Sequence, residues 1–258
     1  MIDTHCHLTY DPLCNRLDDL IAKAKDANVH RMICVGTTPE DAVKAVQIAS
    51  DHPQIFATAG LHPGYSADWQ DEEQVKSQLR ILLAHERVLA VGEMGLDKHY
   101  PEPAIEVQLP AFHWQLDLMK EIGLPGVIHN RKATDATLAT LREAGLPGDR
   151  FVFHCFTGEA DELDAILDFG AMVSLTGIIT FNNSKALAEA TDRIPLDRLM
   201  IETDSPFLTP APFRKVRTNE PCYVAQVAEF LAQRRGLSVE DFVTTADANA
   251  HRFFGMEA

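Results

Sequence analysis

Eight short apolar runs recur along the chain, each followed by a longer amphipathic stretch, and this alternation narrows the folds open to it. The pattern predicts strands near 2–7, 31–36 (RMICVG), 55–60 (IFATAG), 88–93 (VLAVGE), 125–129 (PGVIH), 151–154 (FVFH), 171–175 (AMVSL) and 199–203 (LMIET). The stretches between them carry the helical i, i+3, i+4, i+7 stripe, with Leu17, Leu20, Ile21 and Ala24 in the first and Leu109, Phe112, Leu116 and Met119 in the fourth. Thr38 before Pro39, with Asp41 three residues on, reads as a capped helix start, and Ser238 with Asp241 repeats it. Eight such units in 258 residues are the size of one α/β domain over 1–258, a closed TIM (β/α)8 barrel with eight parallel strands inside a ring of helices. The runner-up, an open doubly wound sheet, calls for a Gly-rich phosphate loop after the first strand, and THCHLTYDP is not one.

Composition excludes several classes. No apolar run reaches 18 residues, so no membrane span is expected. The first residues have neither a basic stretch nor an apolar one, so no secretory signal is expected. Five cysteines without a CxxC read as reduced thiols, which points to the cytoplasm. A formal net charge of −15 argues against a long track for duplex nucleic acid. It leaves a phosphate ester open, because a metal centre and a few arginines supply positive charge locally.

The strand ends carry the chemistry. His5 and His7 point to one face of the first strand, which Asp3 shares, while Cys6 points to the other. The third strand runs into His62, and the fourth ends in Glu93 with Asp97 four residues on. The fifth ends in His129, followed by Arg131, the sixth in His154, and the eighth in Glu202 and Asp204 on one face. A lone strand histidine is ordinarily a packed core residue, and HxH alone is a modest signal. Five of eleven histidines at strand C-termini is another matter, because active sites of barrels form there. His30, His52, His85, His99, His113 and His251 keep the surface or packing reading, as do Trp69 and Trp114 in core or loop packing.

Six candidate ligands, His5, His7, Glu93, His129, His154 and Asp204, exceed the four of a closed structural zinc site. They suit two divalent ions sharing one carboxylate, with Glu93 as the natural bridge and Zn²⁺, Mn²⁺ or Mg²⁺ as the ions.

At these residues the chain resembles the TatD family of metal-dependent deoxyribonucleases, in the amidohydrolase superfamily. DTHCHL, GLHP, GEMGLD, IHNR, HCFTG and ETDSPFLTP stand in the family's order and spacing over nearly the whole length. The resemblance implies a TIM-barrel hydrolase with His5 and His7 on one ion, His129 and His154 on the other, and Glu93 bridging. It implies Asp204 as a ligand that also handles the proton of the attacking water, with Glu93 and Asp204 as the catalytic pair. His62, Asp97 and Arg131 match positions around the substrate, and Glu202 is grouped with them as substrate-binding. The expected activity is hydrolysis of DNA phosphodiester bonds, as a 3′–5′ exonuclease on single strands, with no obligate protein partner and no membrane.

Two departures stand out. PAPFRKVRTNEP, after the last strand, is one residue longer than the family's pattern and lacks its glycine, which affects the loop 213–220. Pro110 falls within the fourth helical stretch, where an interior proline costs about 3 kcal/mol, so that helix is expected to begin at Pro110. The alternative activity is an amidohydrolase-type esterase or amidase, such as a D-aminoacyl-tRNA deacylase. Many relatives of that kind bridge two ions with a modified lysine from strand four, and no lysine occupies 86–97. A non-catalytic scaffold is the third reading, and it needs none of these ligands.

Overall fold

The computed structural model describes residues 1–68 and 72–257. Trp69 lies outside them. Eight strands, β1 (Ile2–Cys6), β2 (Arg31–Gly36), β3 (Ile55–Ala59), β4 (Val88–Asp97), β5 (Gly126–Arg131), β6 (Phe151–Phe153), β7 (Met172–Leu175) and β8 (Leu199–Ile201), pair in sequence order, each neighbour parallel. The ring closes just past β8, where Asp204 N–H donates to His5 O at 2.9 Å and His7 N–H to Ser205 O at 2.7 Å. The architecture is the TIM barrel read from the sequence.

The helices are α1 (Leu17–Asp26), α2 (Pro39–Asp51), α3 (Glu72–Leu83), α4 (Ile105–Ile122), α5 (Thr134–Ala144), α6 (Ala160–Phe169), α7 (Lys185–Thr191), α8 (Val224–Arg235) and α9 (Val239–Phe254). Both caps form: Thr38 Oγ1 accepts from Asp41 N–H at 3.2 Å and Ser238 Oγ from Asp241 N–H at 3.0 Å. Among the described residues no helix is long and apolar enough to cross a membrane.

Helix α4 begins at Ile105, five residues before Pro110, and so corrects the expected start. Two buried glutamines explain why it tolerates the proline. Gln108 accepts from Asp97 N–H at 2.8 Å and donates to Asp97 O at 2.8 Å. One heptad on, Gln115 accepts from Leu61 N–H at 2.7 Å and donates to Leu61 O at 3.0 Å. These bonds fix the helix to the ends of β3 and β4 on both sides of Pro110.

The apolar interior has two parts. A large cluster fills the space between strands and helices. A smaller one lies inside the barrel, with one side chain from each of seven strands (Ile2, Ile33, Ala90, Val127, Val152, Met172 and Met200), Phe56 of β3 packed against them, and Phe254 of α9 beneath. The lower barrel is therefore a filled core, and the polar side chains collect at the other end.

Candidate metal centre

Two strand irregularities aim the site. In β1 the pairing runs Asp3↔Met32 and then Cys6↔Cys34, three steps against two. In β4 it runs Val91↔Gly126 and then Met94↔Ile128, again three against two. Each bulge shifts the alternation of faces by one residue. Ile2 and His5 can thus both face the barrel interior, as can Ala90 and Glu93. Strict alternation would send one of each pair outward. Gly92 lies in the β4 bulge with φ +130°, and a Cβ there would meet Val127 O at 2.5 Å. The β1 bulge also takes Asp3 away from the histidines. Its carboxylate accepts from Thr203 N–H at 2.8 Å and from Thr203 Oγ1 at 2.6 Å, which ties the segment just past β8 to β1.

One oxygen of Glu93 faces the first strand. Glu93 Oε2 lies 3.5 Å from His5 Nε2 and 3.9 Å from His7 Nε2, and the two imidazole nitrogens lie 3.3 Å apart. Asp204 Oδ1 completes this group at 3.2 Å from His7 Nε2 and 3.7 Å from His5 Nε2. Asp204 reaches it from a left-handed backbone, φ 53°. Donor atoms about 2.0–2.2 Å from a tetrahedral ion are separated by roughly 3.3–3.6 Å, so this group fits a divalent cation. Two facing imidazole nitrogens beside two carboxylates call for a shared cation or proton.

The other oxygen faces the far wall. Glu93 Oε1 lies 2.8 Å from His129 Nδ1, 2.8 Å from His154 Nε2 and 3.5 Å from His62 Nε2. Each of the first two rings has a carboxylate behind it. His129 Nε2 meets Asp97 Oδ2 at 2.9 Å, and His154 Nδ1 lies 3.4 Å from Glu202 Oε1. Such backing orients an imidazole and raises its basicity as a ligand.

These contacts change the reading of two residues grouped with substrate. Glu202 is 1% exposed, stands apart from the cavity wall, and accepts from Cys155 N–H at 2.7 Å and from Ser174 Oγ. Asp97 borders the cavity, but its oxygens are taken by His129 and by His99 N–H at 2.7 Å. His62 moves closer to the centre than its motif suggested. Gly64 N–H donates to its Nδ1 at 2.9 Å, so the neutral ring carries its proton on Nε2, which faces Glu93 and His129. His62 therefore offers a donor there, although its position alone would suit a ligand. Arg131 lines the cavity wall without a carboxylate partner among the described residues.

The electrostatics follow the geometry. Burial raises the Glu93 carboxyl, but His154, His62 and the hydrogen bond from His129 outweigh it and hold it well below the usual range. Burial depresses His154, yet Glu93 and Glu202 raise it well above an ordinary histidine. Burial and the neighbouring His129 bring His62 down to about 3, so its ring is neutral. For Asp97, burial raises the carboxyl and the hydrogen bond from His129 overcomes it, leaving it at about 2.

The centre opens into a cavity of about 660 Å³. Tyr10, Tyr65, Tyr100 and Phe207 lie on its walls, and reading the strand ends missed them. The available signal was position: Tyr100 and Phe207 each follow a site carboxylate by three residues.

A TIM barrel that gathers buried imidazoles and carboxylates around a shared glutamate at its C-terminal mouth defines a metal-dependent hydrolase. The chain belongs to the TatD family, since the model of TatD related DNase matches residues 2–255. It is 38% identical over 254 residues to the uncharacterized metal-dependent hydrolase YabD of Bacillus subtilis, covering 98% of each chain. It is 35% identical over 267 residues to the 3′-5′ ssDNA/RNA exonuclease TatD of Erwinia billingiae, covering 100% of each. The crystal structure of YJJV, a TatD homologue from Escherichia coli K12, superposes with a TM-score of 0.93 at 27% identity, over 100% of this chain and 98% of that one.

Proposed function

We propose that this hydrolase cleaves phosphodiester bonds of single-stranded DNA from the 3′ end, using two divalent ions. The observation that carries the reading is the division of Glu93, with Oε2 toward His5 and His7 and Oε1 toward His129 and His154. A carboxylate shared in this way suits a pair of ions clamping the attacking and leaving oxygens of a displacement. His5, His7 and Asp204 would hold one ion with Glu93, and His129 and His154 the other. Zn²⁺, Mn²⁺ and Mg²⁺ all suit mixed nitrogen and oxygen donors. Bound there, the ions supply Lewis acidity and lower the pKa of water to about 7.

The chain's own groups do the rest. Asp204 Oδ1 faces His7 and His5, which leaves Oδ2 to orient the attacking water and take its proton. Arg131, at the cavity wall without a carboxylate partner among the described residues, donates to the phosphoryl oxygens as charge builds on them. His62 adds a neutral donor through Nε2. Asp97 and Glu202 keep the rings of His129 and His154 in place. The relative named an exonuclease on ssDNA and RNA supports a nucleic-acid substrate.

The test is hydrolysis of a 5′-labelled single-stranded DNA oligonucleotide in Mg²⁺, Mn²⁺ or Zn²⁺, with Asp204→Asn as the blank. A ladder shortening from the 3′ end, absent in the blank, is the expected result. No cleavage by folded, metal-loaded protein would move the substrate to an ester or amide, with D-aminoacyl-tRNA next.

A further inference from the structure

Among the described residues, four aromatic side chains are exposed: Tyr65, Tyr100, Phe207 and Phe213. Three of them border the metal cavity. The fourth, Phe213, stacks on Tyr223 at 4.8 Å between centroids. A soluble surface has no need to collect its exposed rings at one mouth.

Tyr100 and Phe207 stand out by how they are built. Phe207 is 49% exposed, yet its backbone is braced from within: its N–H donates to Asp204 O at 3.0 Å, and its carbonyl accepts from Asn219 Nδ2 at 2.6 Å. Asn219 is fully buried and also donates to Thr203 O at 2.9 Å. Tyr100 is 59% exposed, and Asp97 Oδ1 accepts from its N–H at 3.4 Å. Each ring thus follows a carboxylate of the centre by three residues, Asp97 at the end of β4 and Asp204 just past β8. These strands are four places apart in an eight-stranded ring, so the two rings stand on opposite walls. The Arg131 guanidinium, on the same cavity wall, lies 5.5 Å over the Tyr100 ring.

We infer that Tyr100 and Phe207 are paired stacking platforms for unpaired nucleobases on either side of the scissile phosphate. Aromatic faces at the mouth of a site, with a cation beside them for the phosphate, are what single-strand binding uses. A base already paired in a duplex cannot present its face to either ring, so the platforms select single strands. This inference rests on the nucleic-acid reading proposed above.

The test is a cycle between ring and base. Two 5′-labelled oligothymidylates are compared, one intact and one with abasic tetrahydrofuran residues in place of its two 3′-terminal nucleosides. The quantity read is the ratio of kcat/KM on the intact strand to that on the abasic strand. Wild type is expected to favour the intact strand about tenfold or more, the scale of one stacked base. Tyr100→Leu and Phe207→Leu are expected to bring the ratio toward one. Tyr100→Trp and Phe207→Trp, which restore a π face, are expected to keep it. Leucine variants with the wild-type ratio would overturn the platforms, even if their rates fell on both strands, and so would a wild-type ratio near one. Metal-loaded wild type that cleaves neither strand would instead overturn the nucleic-acid reading itself.

Discussion

The side-chain amide of Gln115 binds both polar groups of Leu61, accepting from its N–H at 2.7 Å and donating to its carbonyl at 3.0 Å. Helix α4 thereby holds the segment that delivers His62 to the centre. Gln115→Leu leaves two buried backbone groups unpaired, each costing about 1–3 kcal/mol. We expect a clear fall in melting temperature. We also expect kcat/KM to fall about 10- to 100-fold, because small misplacements at a reacting centre are expensive. Metal content should hold, since the proton of His62 sits on the nitrogen that faces the ions' site. Thermal melts, elemental analysis and oligonucleotide kinetics on one preparation check this. Wild-type kcat/KM with a lowered melting point would confine Gln115 to stability.

Glu202 makes a sharper case, because it stands behind His154 and off the cavity wall. Glu202→Gln keeps an acceptor for Cys155 N–H but removes the charge behind the ring. Loss of such a partner typically costs 10- to 100-fold in metal affinity. Calorimetric titration of the apoprotein with Zn²⁺ should show that loss in the weaker or stronger of its sites, with the fold preserved by circular dichroism. Unchanged affinity at every site would assign Glu202 to holding β6, β7 and β8 together.

Gly92 tests the bulge that aims Glu93. With φ +130° and Val127 O at 2.5 Å from a built Cβ, alanine there is strained in two independent ways. Gly92→Ala should cost at least about 1–3 kcal/mol from the backbone alone. It should also turn Glu93 out of register, with loss of bound metal even where the protein still folds. Urea denaturation together with metal content measures both. A variant that keeps full metal content would separate the bulge from the centre.

These residues also mark the limit of what the sequence discloses. The eight strands were legible because each is a buried apolar run bounded by helix signals, and strand ends pointed to the histidines and carboxylates that converge here. The alternation of faces was not, because a bulge is one extra residue with no composition of its own. Strict alternation therefore put Asp3 beside His5 and His7, whereas the bulge sends it to Thr203. The same limit applies to Glu202 and Asp204, two residues apart in one motif. The left-handed turn at Asp204 carries its carboxylate to the histidines of β1, while Glu202 stays beneath His154. Pro110 misled in the opposite direction. Local propensity argued for a helix start, and the tertiary bonds of Gln108 and Gln115 outweighed it.

Metal removal addresses the centre as a whole. The folded chain brings His5, His7, His129, His154, Glu93 and Asp204 together, and the unfolded chain does not, so ions should stabilise the native state by mass action. At free metal a hundredfold above Kd one site contributes about 2.7 kcal/mol. For a chain of this length that is roughly 5–10 °C in melting temperature per site. Chelation should therefore lower the melting point by at least this much and abolish hydrolysis, and returning the metal should restore both. Glu93→Gln should show much less of the thermal response, because the carboxylate the two groups share loses its charge and one of its two oxygens becomes an NH2 that cannot bind a cation. Should Glu93→Gln bind two ions and gain the full wild-type shift, the sharing of Glu93 would have no energetic meaning. The two histidine sets would then have to hold their ions independently.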